Sequence, residues 1–317
     1  MAGEPPSSPV PSLRQWKARR VFELKTKRPV VSSWGVETKD VTIWECPVSG
    51  LRFREPPAAE ELESFYEAEY HEKMTGAEGT RLRRLAYRRE NESRVEHLLR
   101  YLSQGRVLDV GCSHGDFAQA LSRAGFVAYG LDISADACEK SRTVLGDDRV
   151  YCSTLEALAA REQTRFSAIT AMDVIEHSSD VVEFLNAARS MLEENGILFL
   201  RTPTLSSPFH TVSGLGYRLT LGWYKTPIFK LYHAEHLYFF NELSIRRILE
   251  DCGFDVVEIA PDPLNWDNFR TAELKQGAIG NLLLSGIYFA GRAFHRGHGM
   301  KVIARRREDS PPRGAHQ

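Results

Sequence analysis

Between residues 105 and 203, short β-branched runs alternate with stretches of helical period. The runs at 106–110, 127–132, 149–152, 168–173 and 196–202 predict strands, and 116–124, 135–145 and 180–194 predict helices. Gly125, Gly146, Gly196 and Gly253 each follow a helical stretch, where the residue beyond the last turn adopts positive φ. Strand, helix, strand at this spacing predicts βαβ units and a parallel sheet covered on both faces, the α/β class. Before this region, 81–104 reads as a charged helix with Leu82, Leu85, Val95, Leu98 and Leu99 at apolar positions. Residues 13–80 read as irregular chain with short β-like pieces such as 41–44. After the region come an aromatic, glycine-rich insertion at 205–232 and a helix at 242–252 with Asn241 as N-cap. A strand at 255–259, an apolar helix at 278–290 and a strand at 300–305 follow, and the two strands are expected to pair antiparallel with that helix inserted between them. The window 278–290 is too short to span about 30 Å of hydrocarbon. It reads as a buried helix, with a helix lying on a membrane surface as the alternative.

Composition narrows the classes. The 317 residues carry 41 Lys+Arg against 42 Asp+Glu, a formal charge of −1, with 42% hydrophobic residues. That excludes global disorder and supplies no excess positive charge for the counterion release on which polynucleotide binding depends. An odd set of five cysteines, Cys46, Cys112, Cys138, Cys152 and Cys252, predicts free thiols in a reducing, cytoplasmic setting. Residues 1–12 are rich in Pro and Ser, with no apolar run of a secretory signal. They and 304–317 are expected to be disordered tails.

The informative stretch is 107–117, VLDVGCSHGDF. A β-branched strand carries Asp109, passes through a glycine turn and enters a helix, the place where open α/β sheets bind ligands. Gly111 and Gly115 let a ligand approach the backbone, and the helix offers unpaired N–H groups. A dinucleotide fingerprint needs glycines where Ser113 and Asp116 stand, so a pyrophosphate cradle is missing. Asp109 suits a cationic amino group instead. Strand two ends in Asp132, whose carboxylate can accept from both hydroxyls of a ribose. Together these features specify a nucleoside with a positively charged tail.

The sequence here resembles the class I S-adenosylmethionine-dependent methyltransferases. Residues 107–117 resemble the first family motif, with Ser113 where a middle glycine is commoner, and 130–134 the second. AMDVIEH at 171–177 resembles the fourth-strand motif, GILFLRTP at 196–203 the fifth, and 233–254 the post-core segment of a broad bacterial subfamily. That subfamily includes relatives of ubiquinone-biosynthesis O-methyltransferases and many sugar and natural-product methyltransferases. The resemblance implies a doubly wound, mostly parallel, seven-stranded Rossmann-like sheet with its last strand antiparallel. The implied organisation is an accessory segment at 13–94 and a methyltransferase domain at 95–303 with a lid inserted at 204–237. CPVSGLRFREPPAAEELESFYEAEY at 46–70 resembles the end of a relative's zinc module, with Ser49 where a second cysteine would stand. Cys46 alone cannot supply the four donors of a structural zinc site.

The resemblance also assigns roles. Asp109 and the turn Gly111, Cys112, Ser113, His114 and Gly115 would hold the methionine part of S-adenosylmethionine. Asp132 and Ile133 would hold the ribose, Ser153, Thr154 and Leu155 the adenine, and Met172 and Asp173 the cofactor floor. His177 and His236 are the candidate general bases, because a neutral imidazole removes protons near pH 7. Asp173, Glu176 and His177 match an acid-x-x-Glu-His arrangement with which some relatives hold Mg²⁺, although Asp reaches less far than the usual Glu, and no metal ligand is assigned. The insertion, with His210, Tyr217, Trp223, Tyr224, Lys225 and Tyr232, is expected to cover the acceptor, and His233 and Glu235 to stand beside His236. The run Arg81, Arg83, Arg84, Arg88, Arg89, Arg94 reads as a solvated helix face, the alternative being a contact with an acidic acceptor. The expected reaction is methyl transfer to an oxygen of a small molecule: a sugar, a lipid-linked compound or a natural product. The competing readings are an inactive scaffold, a protein methyltransferase or a nucleic-acid methyltransferase. Near-zero charge and the absence of an Asn- or Asp-Pro-Pro-aromatic motif at strand four weigh against the last.

Overall fold

The β-branched runs become strands of one seven-stranded sheet. The computed structural model describes residues 19–24, 30–32, 35–37, 41–54, 81–220, 232, 236–263, 277–294 and 296–308. Trp223, Tyr224, Lys225, His233, Glu235 and the segment 1–12 lie outside them. The catalytic-type core runs α1 (Arg81–Leu99), β6 (Arg106–Val110), α2 (Asp116–Arg123), β7 (Val127–Asp132), α3 (Ala135–Leu145), β8 (Val150–Cys152) and α4 (Leu155–Arg161). It continues through β9 (Phe166–Met172), α5 (Val181–Met191), β10 (Leu192–Pro203), α6 (Pro208–Leu219), β11 (Tyr238–Phe239), α7 (Glu242–Asp251), β12 (Phe254–Asp262), α8 (Gly277–Ala293) and β13 (Gly299–Arg306). The sheet order is β12-β13-β10-β9-β6-β7-β8. The five strands from β10 to β8 are parallel, and β13 runs antiparallel between β10 and β12.

Period-two alternation fills both faces of the sheet. Val107 packs with Leu98, Phe117, Leu121 and Phe199, while Leu108 packs with Leu158, Phe166 and Leu185 on the other side. Side chains close the helix N-termini: Ser134, Thr154 and Asp180 cap α3, α4 and α5. Asn241 and Ser244 form a reciprocal capping box on α7.

Four expectations need correction. Residues 192–194, read as helix, belong to β10, because Asn195 turns at φ 61 and a register shift joins Leu192 to Ile197. Residues 304–306, read as tail, complete β13, and Arg307 bonds Asp255 beyond it. The window 278–290 does form a helix but not a buried one, since Leu282 and Phe289 face out. Arg94, read as solvated, is buried, whereas Arg88 and Arg89 are exposed as expected.

The N-terminal strands β1 (Arg19–Leu24), β4 (Val41–Glu45) and β5 (Arg52–Arg54) form a second sheet, completed by β11. Two further strands, β2 (Val30–Ser32) and β3 (Gly35–Glu37), pair with each other. In the turn 46–50 the Ser49 N–H donates to the Cys46 Sγ at 3.4 Å, and both side chains are buried. Arg52 donates to the Tyr232 hydroxyl at 2.6 Å and pairs with Glu45 at 2.7 Å, tying Tyr232 to this sheet.

Candidate active site

The glycine turn after β6 is fastened to the end of β7. The N–H groups of Gly111 and Cys112 donate to the Leu131 carbonyl at 2.8 and 3.1 Å, and the Ser113 N–H donates to Asp132 Oδ2 at 2.9 Å. Gly111 sits at φ +71, and an added Cβ would lie 2.5 Å from Val174 Cγ2, so a side chain there is excluded twice. Ser113 adopts φ +49, the left-handed region, which is why a glycine suits this position. The Cys112 thiol turns inward to Ser141 at 3.6 Å, leaving the backbone as its contribution to the cleft.

Asp132 does two jobs at once. Its second oxygen, Oδ1, accepts from the Ser134 N–H at 3.0 Å, so the carboxylate shapes the next turn. Each oxygen keeps further lone-pair capacity for a ribose hydroxyl. Asp109 is buried on the neighbouring strand and accepts from the Thr170 hydroxyl at 2.8 Å. Burial raises its pKa to about 7, and the Thr170 bond and the nearby Arg94 guanidinium pull it back. Arg94 reaches this place from α1. It bonds Asn91 at 3.1 Å and Glu90 at 2.6 Å, and its buried Nε has no hydrogen-bond partner. An acid and an arginine, both buried, make a matched environment for the two charges of an α-amino acid.

Beyond β8, the Ser153 N–H donates to the Asp132 carbonyl at 3.0 Å, which brings this loop to the ribose end. The Thr154 hydroxyl caps α4, Ile133 is half exposed, and the Leu155 side chain is part of the hydrophobic core. Leu155 thus contributes packing, not a side-chain contact in the cleft. His114 is partly buried on the turn, and Met172 is partly buried at the end of β9.

Asp173 is turned elsewhere. It sits at φ +59 and pairs with Arg201, which also holds Asp262 at 2.9 Å. The acid-x-x-Glu-His trio is therefore not what the fold assembles. Instead Glu176, His177 and His236 bring one donor atom each within 4.8 Å of one another. The His177 and His236 rings meet edge to face, 4.7 Å between centroids. Glu176 is buried, accepts from the Thr202 hydroxyl at 3.0 Å, and leaves Oε1 without a partner. Burial first, then the nearby Asp173 charge, raise its pKa to about 8. A buried carboxylate oxygen with an open lone pair beside two imidazoles is a donor set for a divalent ion.

His236 also lines a cavity of about 40 Å³ with Pro203, Thr204, Leu205, His210, Tyr238 and His298. His298 is kept neutral: burial and the Arg201 charge lower its pKa to about 4. Thr170, Arg201 and His298 escaped the sequence reading, and Arg94 entered it only as part of an arginine run. Helical phase pointed to this last one, since Asn91, Arg94, Val95 and Leu98 share one face of α1.

Residues 83–259 match the family model of a methyltransferase domain. A ubiquinone biosynthesis O-methyltransferase of Parvibaculum lavamentivorans is 36% identical over 153 residues, 44% of this chain and 58% of that protein. One of Bradyrhizobium diazoefficiens is 33% identical over 123 residues, 37% of this chain and 47% of that protein. The chain thus spans about half the length of these relatives. A chain of the Haloferax volcanii complex between the Trm112 methyltransferase activator and a methyltransferase superposes with a TM-score of 0.50 at 14% identity, over 72% of this chain and 96% of that one. That likeness concerns the fold alone. With more than half its length in the family model, the chain belongs to the methyltransferase-domain family, as a class I S-adenosylmethionine-dependent domain distantly related to the ubiquinone biosynthesis O-methyltransferases.

Proposed function

We propose that this protein transfers a methyl group from S-adenosylmethionine to an oxygen of a small-molecule acceptor. The observation that carries the reading is the fastened pair Asp109 and Asp132 at the ends of adjacent strands, with Arg94 beside Asp109. Asp109 would hold the methionine ammonium, Arg94 its carboxylate through the open Nε, and Asp132 the ribose. The sulfonium supplies an activated methyl group. The chain's own part is to align the acceptor and take its proton. His236 faces the cavity and is assigned as the base, with His177 behind it fixing its ring. The cavity holds a water or two, so a sugar-sized acceptor requires α6 to shift outward. All five cysteines are free thiols, in keeping with a reducing cytoplasmic site of action.

Calorimetry with S-adenosylhomocysteine, followed by radiolabelled methyl transfer to a panel of hydroxylated sugars and phenols, tests this proposal. No cofactor binding sinks it, and tight binding with no product across the panel favours a scaffold. Arg94→Ala is expected to weaken the cofactor about 10- to 100-fold, because it removes the buried cationic donor proposed for the methionine carboxylate. An unchanged affinity would reject Arg94 as the carboxylate partner.

The open Oε1 of Glu176 favours a second reading of the histidine pair. Glu176, His177 and His236 would hold a divalent ion, whose positive charge makes a nearby acceptor hydroxyl easier to deprotonate. Exhaustive chelation then removes activity, and Glu176→Gln lowers the metal content read by mass spectrometry. Activity and melting temperature unchanged after chelation leave His236 as the base.

A further inference from the structure

Helices on a protein surface turn polar residues outward. Two helices here turn apolar residues outward as well. On α6, the exposed stripe is Thr211, Val212, Leu215, Arg218 and Leu219, with Leu219 75% exposed. On α8 it is Leu282, Gly286, Phe289, Ala290 and Ala293, with Leu282 74% exposed, and Phe294 follows beyond the helix end. The spacing of each set puts it on one helix face. The two helices are in contact with each other, so their outward apolar residues belong to one region of the surface, of a kind that marks an interaction site.

The charge of the region has one sign. No Asp or Glu occurs between Glu194 and Glu235, or between Glu273 and Glu308. Arg218, Arg292 and Arg296 are exposed at the helix ends, and none of them is in an ion pair among the described residues. Apolar side chains flanked by unpaired arginines complement a surface that is greasy within and negative outside. Among the described residues no helix is long and apolar enough to cross a membrane.

We propose that α6 and α8 together form a docking face for an anionic lipid bilayer, on which the protein lies without spanning it. The apolar stripes enter the headgroup–acyl boundary, and the arginines meet lipid phosphates with their stems along the apolar surface. Pro208, Phe209 and His298 stand where this face meets the acceptor cavity: His298 and the helix residue His210 line the cavity, and Pro208, Phe209, Tyr288 and Arg292 line the cleft beside it. The face therefore borders the entrance through which an acceptor with an acyl or prenyl tail would present its head. Docking itself does not depend on the methyl-transfer proposal.

The test is flotation of the full-length protein with vesicles of phosphatidylcholine alone and of phosphatidylcholine with one-third phosphatidylglycerol, in the absence of any acceptor. The wild type is expected to float with the anionic vesicles and less with the neutral ones. Leu215→Glu with Phe289→Glu should stay behind, and Arg218→Glu or Arg292→Glu should each weaken anionic-vesicle binding about fivefold or more. Unchanged melting temperature and S-adenosylhomocysteine affinity show that the variants are folded. Wild type unbound to either vesicle overturns the proposal. So does a wild-type dimer in vesicle-free ultracentrifugation that the Glu variants dissociate while vesicle binding is nil, which assigns the face to a second copy.

Discussion

Asp109→Asn is expected to make the ligand-free protein more stable at pH 8 and to weaken S-adenosylmethionine about 100-fold or more. The two effects share one cause. The carboxyl is buried, and burial raises its pKa from 3.8 to about 7. In the unfolded chain the group ionises near its ordinary value, while the folded chain holds the proton until about pH 7. The folded state therefore binds more protons between those values. The stability from this group is fully present below about pH 4 and lost as pH rises through about 7. Asparagine keeps an oxygen to accept from the Thr170 hydroxyl and never ionises. At pH 8 the variant is expected to gain about 2 kcal/mol, allowing for relaxation around the charge, and melt several degrees higher. With the cofactor in place the order reverses, because the ammonium loses its counter-charge in a dry site. A related pH effect follows in the wild type: below pH 7 the carboxyl must give up its proton before it can pair, so affinity falls toward tenfold per pH unit. Calorimetry between pH 5.5 and 8.5 reads it directly. A flat profile, or a D109N protein that melts lower at pH 8, contradicts the assignment.

Asp132→Ala should weaken the cofactor at least about 100-fold and lower the melting temperature as well. Its two oxygens accept from the Ser113 and Ser134 N–H groups at 2.9 and 3.0 Å. Alanine strips both, at about 1–3 kcal/mol for each donor left unpaired. It also removes the acceptors proposed for two ribose hydroxyls, each charge-assisted bond contributing about 1.5–3 kcal/mol. The neighbouring acids are thus expected to behave oppositely in the ligand-free protein: ionised Asp109 destabilises the fold, while Asp132 holds it with the oxygens proposed for the ribose. Stability lost without loss of affinity would reduce Asp132 to a turn residue.

The acids and the glycine turn were legible because strand and helix geometry fixes their spacing. Asp109 and Asp132 end up adjacent whenever β6 and β7 pair, and the β-branched runs say that they do. Four things were not legible, each for a physical reason. The Asp173–Arg201 pair joins neighbouring strands whose register, Met172 opposite Arg201, no local period reveals. Arg94 stands in a run of arginines, where composition hides the one that helical phase turns inward. The outward face of α8 has the same apolar composition as a buried helix; what covers a helix is not written in its own residues. The shift of the metal-type cluster from Asp173 to His236 is also non-local, because His236 stands far along the chain from Asp173, Glu176 and His177.

The mixed parentage of the second sheet bears on how the chain is made. The strands and turns proposed to cradle the cofactor all lie within 106–172, a contiguous stretch that can close as soon as β10 covers it. The acceptor side waits. Strand β5 pairs with β4 on one edge, but its other edge is satisfied by β11, and the Arg52–Tyr232 bond spans 180 positions. During synthesis that edge stays bare for most of the chain's emergence from the ribosome. A bare edge recruits whatever extended segment is near. Until β11 arrives, that edge of β5 is open to wrong pairing.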